Sequence, residues 1–237
     1  MKKLLYQLDT DPIPSVFDNV VCYDGGADHI TALGGITPAN VGALVDGAIF
    51  TRAPKDKKNT AIFVGGANMA EGEALFKAVR KKFFANFRVS VMLDSNGSNT
   101  TAAAGVAWLA HGRSLAGKRA VVLAGTGPVG QRAAVMLARE GALVTITSRE
   151  LDRAQAAAKA ILERFKIEVN AVEAADHDAR GRAIEGAHVV FATGAGGVQL
   201  LEERHWKDNA TLELISDANA TPTLGIEGID MMDKGAV

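Results

Sequence analysis

The sequence predicts an α/β protein of two domains, on three observations. Apolar strand-like runs alternate with helical patterns along the whole chain, as in a mainly parallel sheet. A polar, glycine-containing segment, His111-Gly112-Arg113-Ser114-Leu115-Ala116-Gly117-Lys118, interrupts the alternation near the middle. A continuous apolar run, Ala120-Val121-Val122-Leu123-Ala124, then meets a glycine-rich turn. The 237 residues, 48% of them hydrophobic, suffice for one large core or two modest ones. The expected domains are residues 1–112, a smaller α/β substrate domain, and residues 113–237, a nucleotide domain on a doubly wound parallel sheet.

In the first domain the expected strands are Leu4–Leu8, Ala61–Val64 and Arg88–Leu93. The expected helices are Ala39–Ala48, Met69–Phe84 and Asn99–Ala110. Met69–Phe84 places Ala70, Ala74, Leu75, Ala78 and Val79 near one face, with lysines and arginines opposite. The second domain is more regular. Strand Ala120–Ala124 leads through the glycine turn to helix Val129–Glu140 and strand Leu143–Thr147. Helix Leu151–Phe165, strand Glu168–Ala171, helix Asp178–Glu185, strand His188–Ala192 and strand Thr211–Ile215 follow. This is the βαβαβ order of a Rossmann-type domain.

The turn reads Gly125-Thr126-Gly127-Pro128-Val129-Gly130. A GxGxxG motif is weak alone, but here it follows a buried-type strand and opens a helix, as dinucleotide binding requires. Gly125 permits the tight turn. Gly127 lets backbone N–H groups approach a diphosphate at the helix N-terminus, and Thr126 and Val129 flank that approach. Gly130 lets helix and strand pack closely, and Pro128 suits the first helical turn. The strand after the first helix ends Thr147-Ser148-Arg149, without the acid that accepts the ribose 2′-hydroxyl of NAD. Hydroxyls and a guanidinium suit a 2′-phosphate, so NADP is the expected cofactor. A second glycine-rich turn, Thr193-Gly194-Ala195-Gly196-Gly197, closes a later strand on the same sheet edge. Thr193, Gly194 and Ala195 are candidates to contact the ribose or nicotinamide, and from spacing alone a plain loop accounts for them as well.

Bulk properties exclude several classes. With 22% charged residues and a formal net charge of −1, no polyanion-binding surface is expected, and hence no nucleic-acid partner. Cys22 is the single cysteine, so no intrachain disulfide forms, and a small buried hydrophobe is the expected reading. The apolar N-terminal run is too short for a signal peptide, and no segment approaches the ~18 apolar residues that cross a bilayer. A soluble, cytoplasmic protein without a membrane partner is expected. His29, His111, His177, His188 and His205 show no metal-ligand spacing, so no metal is expected.

The first domain holds three polar clusters: Asp9 to Asp18, Tyr23 to His29, and Asp94-Ser95-Asn96-Gly97-Ser98-Asn99-Thr100-Thr101. The third lies at a strand's carboxyl end, where ligands tend to bind, although a turn capped by Ser98 or Asn99 explains part of it. Asp11, Ser15, Asp94, Asn96, Ser98 and Asn99 are the candidate substrate-binding residues. An alcohol dehydrogenase needs a base for the hydroxyl proton, and none is evident. A methylene bridge between two nitrogens loses hydride without losing a proton. Catalysis then needs positioning and electrostatic stabilisation, which clustered carboxylates supply.

These motifs together resemble a known family. Asp9-Thr10-Asp11 with Ser15-Val16-Phe17-Asp18, Tyr23 to Ile30, Ala61 to Gly66 and Met92 to Gly105 are similar to the NADP-dependent methylene-tetrahydromethanopterin dehydrogenases of methylotrophic bacteria. So are Leu123 to Gly130, Pro222, Leu224-Gly225-Ile226 and Gly228-Ile229-Asp230, so the resemblance spans essentially the whole chain. It implies oxidation of methylene-tetrahydromethanopterin to the methenyl form with NADP⁺, methylene-tetrahydrofolate as a second pterin substrate, and a homo-oligomer, a trimer or a multiple of one. It implies that Phe17 packs on the pterin and that Thr101 lies near the reacting centre. Family members continue beyond the position matching Val237 with a glycine-rich stretch, a lysine and a histidine of the active site. The sequence ends Asp233-Lys234-Gly235-Ala236-Val237. On that account the alternative expectation is an NADP-binding protein without turnover. A hydroxy-acid dehydrogenase of the shikimate type shares the two-domain plan, but no Lys–Asp acid–base pair supports it.

Overall fold

The computed structural model describes residues 1–219, 221–233 and 235. Of the closing residues, Lys234, Ala236 and Val237 therefore lie outside the described set. The chain divides into two compact units, Met1–Asn99 and Thr100–Val237.

The first unit runs β1 (Leu4–Asp9), α1 (Val16–Asp24), β2 (His29–Leu33), α2 (Gly42–Phe50), a 3-10 turn (Pro54–Asn59), β3 (Thr60–Gly65), α3 (Met69–Lys81) and β4 (Ser90–Leu93). Its sheet has the order β2-β1-β3-β4, with every pairing parallel. Leu8, Ile62 and Val64 pack against Val45 and Ile49 of α2 and Leu75 and Val79 of α3. These are the residues that the 3.6-residue period of α3 turns inward. Asn68 caps α3 by accepting from the N–H groups of Ala70 and Glu71. Asp9 pairs with Gly65 in register, so β1 and β3 end together.

The second unit opens with α4 (Ser98–Ala110), whose first residues overlap the unit boundary. It continues β5 (Arg119–Leu123), α5 (Pro128–Arg139), β6 (Leu143–Ser148), α6 (Leu151–Phe165), β7 (Asn170–Glu173), α7 (His177–Ala183), β8 (Val189–Ala192) and β9 (Leu214–Asp217). The sheet order is β7-β6-β5-β8-β9, all parallel, the doubly wound arrangement. One face of the sheet packs Val122, Ile146 and Phe191 on Ala133, Leu137, Ala157 and Ile161. Ala102, Val106 and Leu109 of α4 join that layer, and a Cβ on Gly105 would stand 2.3 Å from the Phe191 ring. The other face buries Val121, Leu123 and Val190 beneath Ile184, Leu200, Leu201 and Ile226.

Both expected sheets are present. The difference lies in α1 and β2, where the sequence pattern assigned neither helix nor strand. Strands β7 and β9 also begin two and three residues later than expected. Pairing fixes those starts: Thr145 faces Asn170, and Val189 faces Leu214. Thr211 instead donates its hydroxyl to the Ala187 carbonyl in the turn before β9. Among the described residues no helix is long and apolar enough to cross a membrane, and no group of three His, Cys, Asp or Glu side chains stands placed to hold a metal ion.

Candidate functional site

Two regions carry chemistry, one in each unit. In the second unit, the glycine turn leaves β5 through Ala124, which takes φ 53°. The turn is held by its neighbours. Thr147 accepts from the N–H of Ala124 through its hydroxyl, at 3.1 Å, and its carbonyl accepts from Gly125 at 3.0 Å. The Thr193 hydroxyl donates to Leu123 O at 2.9 Å, and Thr193 N–H donates to the same carbonyl at 3.0 Å. Thr147 is buried, so its hydroxyl shapes the turn.

The three glycines differ in what surrounds them. A Cβ on Gly125 would stand 2.8 Å from Cβ of Ile146, and one on Gly130 2.6 Å from Cα of Gly125 and 2.7 Å from the Thr193 hydroxyl. A Cβ on Gly127 would meet nothing within 4 Å. Gly127 is the N-cap of α5 and offers no side-chain cap; Pro128 follows, and the first turn holds no acid. Gln131 N–H bonds back to the Gly127 carbonyl, and the Gln131 amide ties down Thr126 O at 2.7 Å. The open space at Gly127 thus lies at the positive end of the helix dipole, where an anion is favoured.

At the end of β6, Ser148 is mostly buried and Arg149 is exposed, with no ion pair or hydrogen bond among the described residues. Arg180 of α7 donates to the carbonyls of Ala175 and Leu200, tying together the loops after β7 and β8. Burial holds its guanidinium below the usual range, Asp176 opposes that, and Arg149 adds repulsion. Gly194 packs under Leu200, while Ala195 O accepts from Asn219 at 3.5 Å. Asp217, at the end of β9, accepts from the N–H groups of Asn219, Gly225 and Ile226. Burial raises its carboxyl above the usual range despite those bonds.

In the first unit the carboxyl ends of β1, β3 and β4 bring acids together. Asp9 is fully buried and accepts from Asp11 N–H at 2.9 Å and Ser15 N–H at 3.0 Å. The Ser15 hydroxyl caps α1 by accepting from Asp18 N–H at 3.1 Å. A Cβ on Gly65 would lie 3.1 Å from the Asp9 carboxylate and 3.2 Å from that of Asp18. Burial raises the Asp18 carboxyl above its ordinary range, Asp9 and Asp94 repel its charge, and the Ser15 bond only partly offsets them. Asp94 is buried and accepts from Asn99 N–H at 2.8 Å, and the Asn99 amide donates to Leu93 O.

Not every candidate side chain faces outward. Ser98 is buried, its hydroxyl donating to Ser95 O at 2.9 Å. Asp11 accepts from Ala67 N–H at 3.0 Å. Asn96, at φ 56°, is exposed and bonds Gly66 O through its N–H. Phe17 is 76% exposed on α1, an apolar face open to a flat ring. Thr101 is half-buried in the first turns of α4. Two residues escaped the list of candidates. Asp9 and Asp18 lay inside a quoted polar run, but nothing local marks one as buried and the other as repelled. The Thr10 hydroxyl is buried without a partner among the described residues, above Gly66.

Comparisons with known proteins agree with this layout. Residues 16–96 match a family model described as methylene-tetrahydromethanopterin dehydrogenase, N-terminal, and residues 114–213 one described as putative NAD(P)-binding. A protein of Methylorubrum extorquens named bifunctional protein MdtA is 61% identical over 236 residues, covering 99% of this chain and 82% of the relative. An NAD(P)-dependent methylenetetrahydromethanopterin dehydrogenase of the same organism is 33% identical over 237 residues, covering 97% and 80%. Among solved structures, ligand-free 5-ketofructose reductase of a Gluconobacter strain superposes with TM-score 0.52 at 15% identity, covering 91% of this chain and 86% of that one. Quinate dehydrogenase of Corynebacterium glutamicum in complex with NAD gives 0.50 at 15%, covering 90% and 87%. At that identity the two structures show a shared fold.

Proposed function

The chain belongs to the methylene-tetrahydromethanopterin dehydrogenase family, and from that premise we propose that it transfers a hydride from methylene-tetrahydromethanopterin to NADP⁺, giving the methenyl form. Methylene-tetrahydrofolate is the second substrate on this reading. The carrying observation is the first turn of α5, uncapped and open at Gly127.

The N–H groups of Gly127, Val129 and Gly130 hold the diphosphate, and Thr126 lines the turn. Ser148 and Arg149 take the 2′-phosphate, and Thr147 holds the glycine turn in place through Ala124. Thr193, Gly194 and Ala195 border the ribose and nicotinamide. When bound, the nicotinamide supplies the hydride acceptor.

Phe17, in the first unit, stacks on the pterin, and Thr101, in α4 of the second, lies near its methylene carbon. Asp11, Ser15, Asp94, Asn96, Ser98 and Asn99 form and line the substrate site, several of them by holding its backbone. Loss of hydride leaves a cation shared between two nitrogens. Asp18, crowded by Asp9 and Asp94, gains a counter-charge as that cation forms, and no base is needed. Residues 1–112 serve the pterin and 113–237 the nucleotide, in a cytoplasmic homo-oligomer.

The test is a rise in NADPH absorbance with methylene-tetrahydromethanopterin, then with methylene-tetrahydrofolate. Turnover with both supports the reading. Cofactor binding without turnover on either would remove it and leave an NADP-binding protein.

A further inference from the structure

Lys57 is a buried charge without a counter-charge. It lies in the 3-10 turn before β3 and is 3% exposed. Lysine is almost never so buried unless paired. Its ammonium stands 3.6 Å from the centre of the Phe87 ring and donates to Asn86 O at 3.4 Å. Among the described residues it makes no ion pair. One ring and one long bond replace only part of the hydration an ammonium loses.

The same side chain lines a wide-open cavity of about 540 Å³, nearer a surface depression than an enclosed pocket. Lys58 and Arg88 line it too, exposed and with no ion pair or hydrogen bond among the described residues. Asn86 and Ser90 add neutral donors, and no acid lines the cavity. It opens near Ser90, at the amino end of β4, whereas Asp9, Asp18 and Gly65 gather at the carboxyl end of the sheet. Six residues of β3 separate those ends, about 16 Å at ~3.3 Å per residue.

We propose that this cavity is a second anion site, built for a small phosphate-bearing molecule. Three cations suit a group of two or more negative charges better than a single carboxylate. The Arg88 fork matches phosphate oxygens in bidentate fashion. Lys57 supplies the desolvated charge at the base of the site, and Lys58 and Arg88 close on the anion from the rim. The site is independent of hydride transfer.

The experiment is calorimetric titration of the NADP-saturated protein with inorganic phosphate, pyrophosphate and glycerol phosphate. Saturation blocks the diphosphate cradle of α5, so saturable heat reports another site. One anion is expected to bind per chain, more weakly as sodium chloride is raised. Tightest binding of glycerol phosphate identifies a phosphoester as the ligand, and tightest binding of either inorganic anion identifies free phosphate or polyphosphate. Arg88→Gln and Lys58→Gln, both at exposed positions, should each weaken binding about tenfold or more and leave NADP affinity unchanged. Absence of saturable heat with all three anions, or undiminished binding in the Arg88→Gln/Lys58→Gln double variant, would overturn the proposal.

Discussion

Three glycines in one turn do three different things, and single substitutions separate them. Gly127 has φ −75°, open to any residue, and a Cβ there touches nothing. Protein geometry therefore does not require glycine at 127; on the proposed reading a closely approaching diphosphate does. Gly127→Ala should leave the stability of the free protein within about ±0.5 kcal/mol of the parent and weaken NADP binding. Gly130→Ala forces a Cβ into the Gly125 backbone and should cost about 1–3 kcal/mol of stability. Melting curves with and without NADP check both, and undiminished NADP binding by Gly127→Ala would displace the diphosphate from this turn. Arg149 separates the two cofactors. Exposed and unpaired among the described residues, it contributes only electrostatic repulsion, on Arg180. Arg149→Ala should lower NADP affinity by about 1–3 kcal/mol and NAD affinity little. Equal losses for both cofactors would reject the 2′-phosphate assignment.

Element by element, legibility followed burial. Leu151–Phe165 was readable residue for residue because Ala157, Ala158, Ile161 and Phe165, at helical spacing, pack on one core. Helix α1 was not. Val16, Phe17, Val20, Val21 and Tyr23 are exposed, and Cys22 is its buried residue, so the apolar pattern does not report a core face. Strand β2 is an edge strand with His29, Thr31 and Ala32 exposed, and shows no clean alternation. The acids that α1 positions could be read as a cluster, but not by rank, because the Asp18 environment comes from β1, β3 and β4. That environment has a pH signature. The helix dipole favours a charged Asp18 near the start of α1, yet burial and repulsion from Asp9 and Asp94 prevail. The folded state therefore holds the Asp18 proton more tightly than the unfolded chain does. Stability is lost as pH rises from the unfolded value through the raised folded one. Asp18→Asn should melt higher than the parent near neutral pH, and the difference should vanish below the unfolded carboxyl value. Turnover should move the opposite way, falling in Asp18→Asn because the cation loses its counter-charge. Melting and rate profiles across pH test the pair, and a variant that melts lower at neutral pH contradicts the repulsion.

At the scale of the molecule, the alternation of strands and helices and the nucleotide turn were readable, while strand order in the first unit was not. An order of β2-β1-β3-β4 depends on which edges pair, and no local signal encodes that. The chain's conspicuous titratable cluster is acidic, and burial and repulsion raise Asp18 within it. Acids so placed attract a forming cation; the reaction as proposed releases no proton from carbon, oxygen or nitrogen. The hydride step should therefore slow when the methylene group carries deuterium, and should run at the same rate in D₂O and H₂O. Single-turnover measurement of NADPH formation isolates that step from product release. An equal slowing in D₂O would mean that a proton moves with the hydride. A general base would then have to stand in this site, and the carboxylates would be acid–base groups in place of counter-ions.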